Sequence, residues 1–233
     1  MRLYIIRHAD PDYDNDTITE AGHREAEALA ERLRQEGINH IYCSPLNRAI
    51  HTMQYTSELL GIRPVIVPWL TELNGWHVES APGIMTPSWD VHGESIRAEQ
   101  YNANEKWDNR APFKGYGLYA KWEAIRRGSD EFMESIGYER EKGIYRIVSP
   151  NTDRIAVFCH HGLGTTWLAH LLELPLPLVW SGFWMAPSSV TTVLMDERST
   201  RYAVPRCLGF GDVSHLYHSR LPVSPQGIKA NYD

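Results

Sequence analysis

Cysteine is scarce in this chain, with 3 among 233 residues. Cys43, Cys159 and Cys207 are odd in number and far apart, which argues against a disulfide framework and predicts a reduced, cytoplasmic setting. No two have the close spacing of a zinc site. Cys43 and Cys159 each end an apolar run and are expected to be buried and inert. Basic residues are in the minority, 23 against 29 acidic ones. Nucleic-acid binding asks for the opposite balance. No stretch approaches the ~20 apolar residues of a membrane span. The apolar run at residues 3–6 is flanked by charges and is too short for a secretion-signal core. No repeat of fixed period is present. His77, His92, His170, His215 and His218 show no metal-ligand spacing, so neither a metal nor a cofactor is expected.

What is present is ordinary globular usage, 42% hydrophobic and 22% charged, enough for one α/β domain over residues 1–233. Residues 3–6 read as a buried strand with Arg7-His8 at its C-terminal end. Residues 19–35 read as a helix: Ala26, Leu29, Ala30 and Leu33 have helical spacing, Thr19 is the N-cap and Gly37 the stop. Residues 38–43 predict a second strand. Ser44-Pro45 then reads as an N-cap and first helical residue, with Leu46, Ala49, Ile50 and Met53 on the apolar face and Gly61 at the end. Residues 64–67, 155–159, 189–195 and 202–208 predict further strands, and a helix follows His160-His161-Gly162 as far as Leu172.

Strands alternating with helices predict a three-layer α/β/α fold with a mostly parallel central sheet. Residues 74–150 break the alternation and are expected to form a helical cap over the strand C-terminal ends. Helices are predicted near 94–107 and 116–136, and Trp76, Trp89, Trp107 and Trp122 are expected mainly in the cap's core. The tail after Arg220 reads as loop.

In such sheets ligands bind beyond the strand C-termini. Arg7, His8, Arg48 and His161 all fall there. Arginine forks match phosphate oxygens. The helix starts after Ser44 and at Gly162-Leu163 offer backbone N–H groups to the same anion. A neutral imidazole in that setting can attack phosphorus while the cations spread the developing charge. His160 is expected to be structural.

The segments RHAD (7–10), TEAGHREA (19–26), SPLNRAIHT (44–52), LTE (70–72) and CHHG (159–162) together resemble the histidine phosphatase superfamily, in its phosphoglycerate mutase-like branch. They stand in that family's order and cover the sheet-forming ends of the chain, not the insertion. The resemblance implies a metal-independent phosphatase that hydrolyses a small phosphomonoester through phosphohistidine. It implies His8 as nucleophile, Arg7 and Arg48 on the phosphate oxygens, and His161 as donor to the phosphoryl group. Glu72 is then the proton donor and later the base, with a raised pKa. Two departures stand out. Ala9 replaces the usual glycine. Asp14 occupies the place of a phosphate-binding asparagine, so either Asn15 takes that role through a loop shift or the site lacks the donor.

Two alternatives remain. A mutase of this family resembles the chain less, because only ten residues separate His8 from Thr19. A non-catalytic phospholigand-binding protein would need neither nucleophile nor proton donor. Specificity is expected from the insertion, with Arg97, Lys106, Arg110 and Lys114 as candidates. The expected partner is a small phosphorylated metabolite, with no nucleic acid and no membrane. Nothing in the sequence sets an oligomeric state.

Overall fold

In the computed structural model, which describes residues 1–103 and 105–228, strand β1 (Arg2–Arg7) lies inside an eight-stranded sheet and is buried at all but its first position. A small hairpin, β2 (Pro11–Asp12) and β3 (Thr17–Ile18), leads to α1 (Glu20–Glu36). Thr19 caps α1 by accepting from Gly22 N, and Gly37 ends it at φ 70°, a left-handed turn that glycine adopts without strain. Then come β4 (His40–Cys43), α2 (Asn47–Leu60) and the two-residue edge strand β5 (Val65–Ile66).

The insertion opens with the hairpin β6 (His77–Ala81) and β7 (Ile84–Pro87), followed by α3 (Gly93–Arg97) and α4 (Leu118–Ser135). A second hairpin, β8 (Tyr138–Glu141) and β9 (Ile144–Ile147), joins the edge of the main sheet. The chain finishes with β10 (Arg154–Cys159), α5 (His161–Leu171), α6 (Leu176–Gly182), β11 (Val190–Asp196), β12 (Tyr202–Asp212) and α7 (Ser214–His218). Among the described residues no helix is long and apolar enough to cross a membrane.

The sheet order is β5-β4-β10-β1-β11-β12-β9-β8. Alternate residues of β1 serve opposite faces. Leu3 and Ile5 pack with the core that includes Leu163, Trp167 and the insertion's aromatics, while Tyr4 and Ile6 pack against Leu29, Leu33 and Met53 of α1 and α2. The α/β class with helices on both faces is therefore as expected. The sheet is mixed rather than mostly parallel: β5, β4, β10 and β1 run parallel, and the other pairings are antiparallel. The reason is loop length. The links β8–β9 and β11–β12 are too short for the crossover that parallel neighbours need.

Two helix readings are corrected. Ser44 is not the N-cap of α2; Leu46 is, in extended conformation and without a side-chain cap. The Ser44 hydroxyl is instead buried against His160 Nε2 at 2.7 Å. The helix expected over 94–107 is only the short α3, with Trp107 in a separate 3-10 turn, Trp107–Asn109. The buried apolar residues Ile96, Tyr101 and Trp107 are five and six apart, not at helical spacing. Trp76, Trp107 and Trp122 are core residues.

Candidate active site

Strand register assembles the site. Arg7 pairs with Cys159 and Phe158 with Cys43, so the next residues, His8, His160 and Ser44, leave three adjacent parallel strands at one edge. Arg48 comes from the first turn of α2, His161 begins α5, and Glu72 follows the 3-10 turn Pro68–Leu70. Arg7, His8, Arg48, Glu72 and His161 together line a cavity of about 220 Å³, which Tyr13, Pro87, Trp89, Asp90 and Gly227 complete. Wider clefts of about 870 Å³ between α1 and α7 and about 690 Å³ along α4 hold none of the predicted site residues.

The two site histidines are held differently. His8 Nδ1 lies 2.8 Å from the carbonyl of Ala9. A carbonyl only accepts, so Nδ1 carries the proton and Nε2 the lone pair. The N–H of Met185 donates to His161 Nδ1 at 3.3 Å, so the neutral ring of His161 keeps its proton on Nε2. Burial, with the Arg7 cation next, pushes His8 far below the usual imidazole pKa and His161 down to about 3. Both rings are therefore neutral near pH 7. His160, buried beside His8 with ring centroids 5.2 Å apart, is held by Ser44 in the supporting position expected of it.

The arginines have donors to spare. Arg7 is 2% exposed and spends Nη1 on the carbonyls of Met185 and Gln226, at 2.7 and 3.1 Å. Arg48 Nη1 pairs with Asp16 at 3.1 Å and its guanidinium stands over the Tyr13 ring at 5.6 Å. The Nε atoms of both are buried without a hydrogen-bond partner among the described residues. A buried unmet donor costs roughly 1–3 kcal/mol, and both guanidiniums belong to residues that line the cavity.

Glu72 is partly buried, and its carboxylate accepts from Leu73 N at 3.0 Å, Gly162 N at 3.1 Å and Leu163 N at 2.9 Å. Burial raises its pKa, and these three N–H groups oppose the rise. This corrects the expected role of Gly162 and Leu163. Their N–H groups serve the carboxylate of Glu72, the anion nearest the positive end of α5, rather than standing open for phosphate. Gly162 is also needed for space: a Cβ there would lie 2.8 Å from Glu72 Oε1 and 2.9 Å from the Trp89 ring.

Asn15 is not brought to the site. Its amide donates to Asp12 at 2.8 Å on the exposed side of the β2–β3 turn, and Tyr13 lines the cavity instead. Arg97, Lys106, Arg110 and Lys114 do not line it either; Arg97 bonds Ser181, and Arg110 pairs with Glu99 and Glu105. The insertion contributes Pro87, Trp89 and Asp90. As far as residue 228 the tail does form a loop, residues 229–233 lying outside the described residues, but it crosses the site, with Ser224 on Asp10, Gln226 on Arg7 and Gly227 in the wall. Neither Tyr13 nor the tail shows a periodic pattern that sequence reading could use.

Residues 3–206 match the family model of the histidine phosphatase superfamily (branch 1). The chain belongs to that superfamily. Over 115 residues it is 31% identical to a probable phosphoglycerate mutase GpmB of Yersinia pestis (strain Pestoides F), a match covering 45% of this chain and 52% of that protein. The chain thus spans about half the length of the curated relatives it matches. It shares its fold with the phosphoserine phosphatase of Entamoeba histolytica in complex with 3-phosphoglyceric acid, at TM-score 0.62 and 18% identity over 92% of this chain and 98% of that one. A mycobacterial glucosyl-3-phosphoglycerate phosphatase in complex with VO3 aligns at TM-score 0.60 and 22% identity, over 90% and 98%.

Proposed function

We propose that this protein is a phosphatase that hydrolyses a small phosphomonoester through a phosphohistidine. The observation that carries the reading is the state of His8: a buried neutral imidazole with Nδ1 tied down, lining a cavity shared with Arg7, Arg48, His161 and Glu72. Nε2 attacks phosphorus and the ester P–O bond breaks. Arg7, Arg48 and the Nε2–H of His161 spread the charge that develops on the equatorial oxygens. Glu72, in its protonated form, gives its proton to the leaving oxygen. Water then attacks phosphorus, Glu72 takes a proton from it, and the P–N bond breaks to free phosphate and His8.

The mutase reading has one observation behind it, the GpmB similarity.

The test is to incubate the protein with phosphorylated metabolites, phosphoglycerates included, and to quench with acid or base. Release of inorganic phosphate, with protein-bound label that survives base and is lost in acid, supports the phosphatase. Phosphoryl exchange between hydroxyls of one substrate without phosphate release supports the mutase. Label that survives acid, or that persists in His8→Ala, overturns the phosphohistidine.

A further inference from the structure

Glu25 is a buried carboxyl that this chemistry does not use. It sits on α1 at 3% exposure. Its Oε2 accepts from the backbone N–H of Asp10 at 3.0 Å. The other end of that same peptide group is the Ala9 carbonyl, which accepts from His8 Nδ1. One rigid, planar amide therefore joins Glu25 to the nucleophile's ring. A second path runs through Ser188. The Ser188 side chain lies near enough to Glu25 to lower its pKa, the Ser188 N–H donates to the His8 carbonyl at 3.0 Å, and Ser188 Oγ lies 3.2 Å from His215 Nε2. The close approach of α1 depends on Gly22, where a Cβ would lie 2.4 Å from Asp10 O. The charged and titratable groups around Glu25 are Asp10, Arg7 and, beyond Ser188, His215.

We propose that Glu25 is a positioning residue for the nucleophile: it holds the Ala9–Asp10 peptide so that His8 keeps its proton on Nδ1 and its lone pair on Nε2. A carboxylate on an amide N–H makes a charge-assisted bond. Hydrogen bonds in a chain polarise one another, so the amide's carbonyl becomes a better acceptor. Carboxylates behind metal-ligating histidines set tautomer and basicity in the same way. The consequence for turnover rests on the phosphatase reading, whereas the tautomer does not.

The experiment is nitrogen NMR of the histidine-labelled full chain, with kcat and KM on p-nitrophenyl phosphate measured beside it. Wild type and Glu25→Gln, which keeps an oxygen acceptor, are expected to show His8 as the Nδ1–H tautomer. Glu25→Ala is expected to show mixed tautomers and a kcat lower by roughly 10–100-fold, the range typical of such supporting partners, with KM little changed. If Glu25→Ala does not fold, Glu25→Met fills the space without an acceptor and takes its place. A wild-type His8 protonated on Nε2, or a folded Ala or Met variant with unaltered tautomer and kcat, overturns the proposal. A tautomer shift in a protein that hydrolyses no phosphomonoester supports the positioning role and overturns the phosphatase reading alone.

Discussion

The carboxylate of Glu72 closes on the backbone of Gly162, with Oε2 3.1 Å from its nitrogen. The group proposed as proton donor is thereby fixed to the first turn of the helix that His161 begins. If Glu72 protonates the leaving oxygen, poor leaving groups need it most. Glu72→Gln should slow alkyl phosphates by roughly 10²–10⁴-fold and aryl phosphates much less. Equal losses on both would move the role to another acid, with Asp90 in the same cavity the first to examine.

Gly162→Ala should reproduce much of that loss without touching an ionisable group. The added Cβ would meet Glu72 and the Trp89 ring below 3 Å, so the carboxylate has to move. Because both changes act on one group, their effects should not add. The double variant should turn over alkyl phosphates about as slowly as Glu72→Gln alone. Fully additive losses would show that Gly162 acts elsewhere.

Inorganic phosphate should inhibit competitively, and vanadate and tungstate, closer in shape to the transition state, should bind more tightly. Arg48→Ala removes a guanidinium whose buried Nε has no partner among the described residues. It should weaken all three ligands by a similar factor, of the order of the 1.5–3 kcal/mol of a bond to a charged group. A phosphate-soaked crystal with the anion away from Arg7, His8, Arg48 and His161 would end this assignment.

Turnover should survive EDTA, since two guanidiniums and an imidazole N–H supply the positive field that a metal would otherwise bring. Loss on chelation with recovery on adding one metal would contradict this.

Acid should destabilise the fold well above the carboxylate range. Burial holds His161 down to about 3 and His215 to about 4, and His8 and His160 lie far below their usual value of 6.5. Between those values and 6.5 the unfolded chain binds protons that the native state refuses. Stability is therefore full above 6.5 and lost as pH falls. Glu25, raised from 4.5 to about 7 by burial, works in the opposite sense, favouring the fold more as pH falls through that window, and Glu72 is raised in the same direction. With His170, also lowered by burial, five histidines outnumber two carboxyls, and each uncompensated proton is worth about 1.4 kcal/mol per pH unit. The melting temperature should drop from pH 6.5 to 4.5 in scanning calorimetry. A flat or rising profile would show that these imidazoles are not buried neutral.

The sequence alone determined whatever depends on local pattern. Ala26, Leu29 and Leu33 at helical spacing, with Thr19 and Gly37 as caps, define α1, because backbone and neighbouring side chains meet there within a few residues. Arg7, His8, Arg48, Glu72 and His161 were legible as well, since each stands at a strand end, at a helix start or in a short recognisable motif. Tertiary structure decided the long-range contacts. Asn15 turns to Asp12 because an exposed turn satisfies itself locally. The N–H groups of Gly162 and Leu163 go to Glu72 because a carboxylate some 90 residues earlier reaches them. Tyr13 and Gly227 enter the wall through turns, and Trp89 through the 3-10 turn Ser88–Asp90, none of them with a periodic pattern. The tie from Glu25 to the Asp10 amide joins a helix face to a backbone group. Hydrophobic period fixes which face of a helix is buried, but only the packed chain fixes which polar groups that face meets.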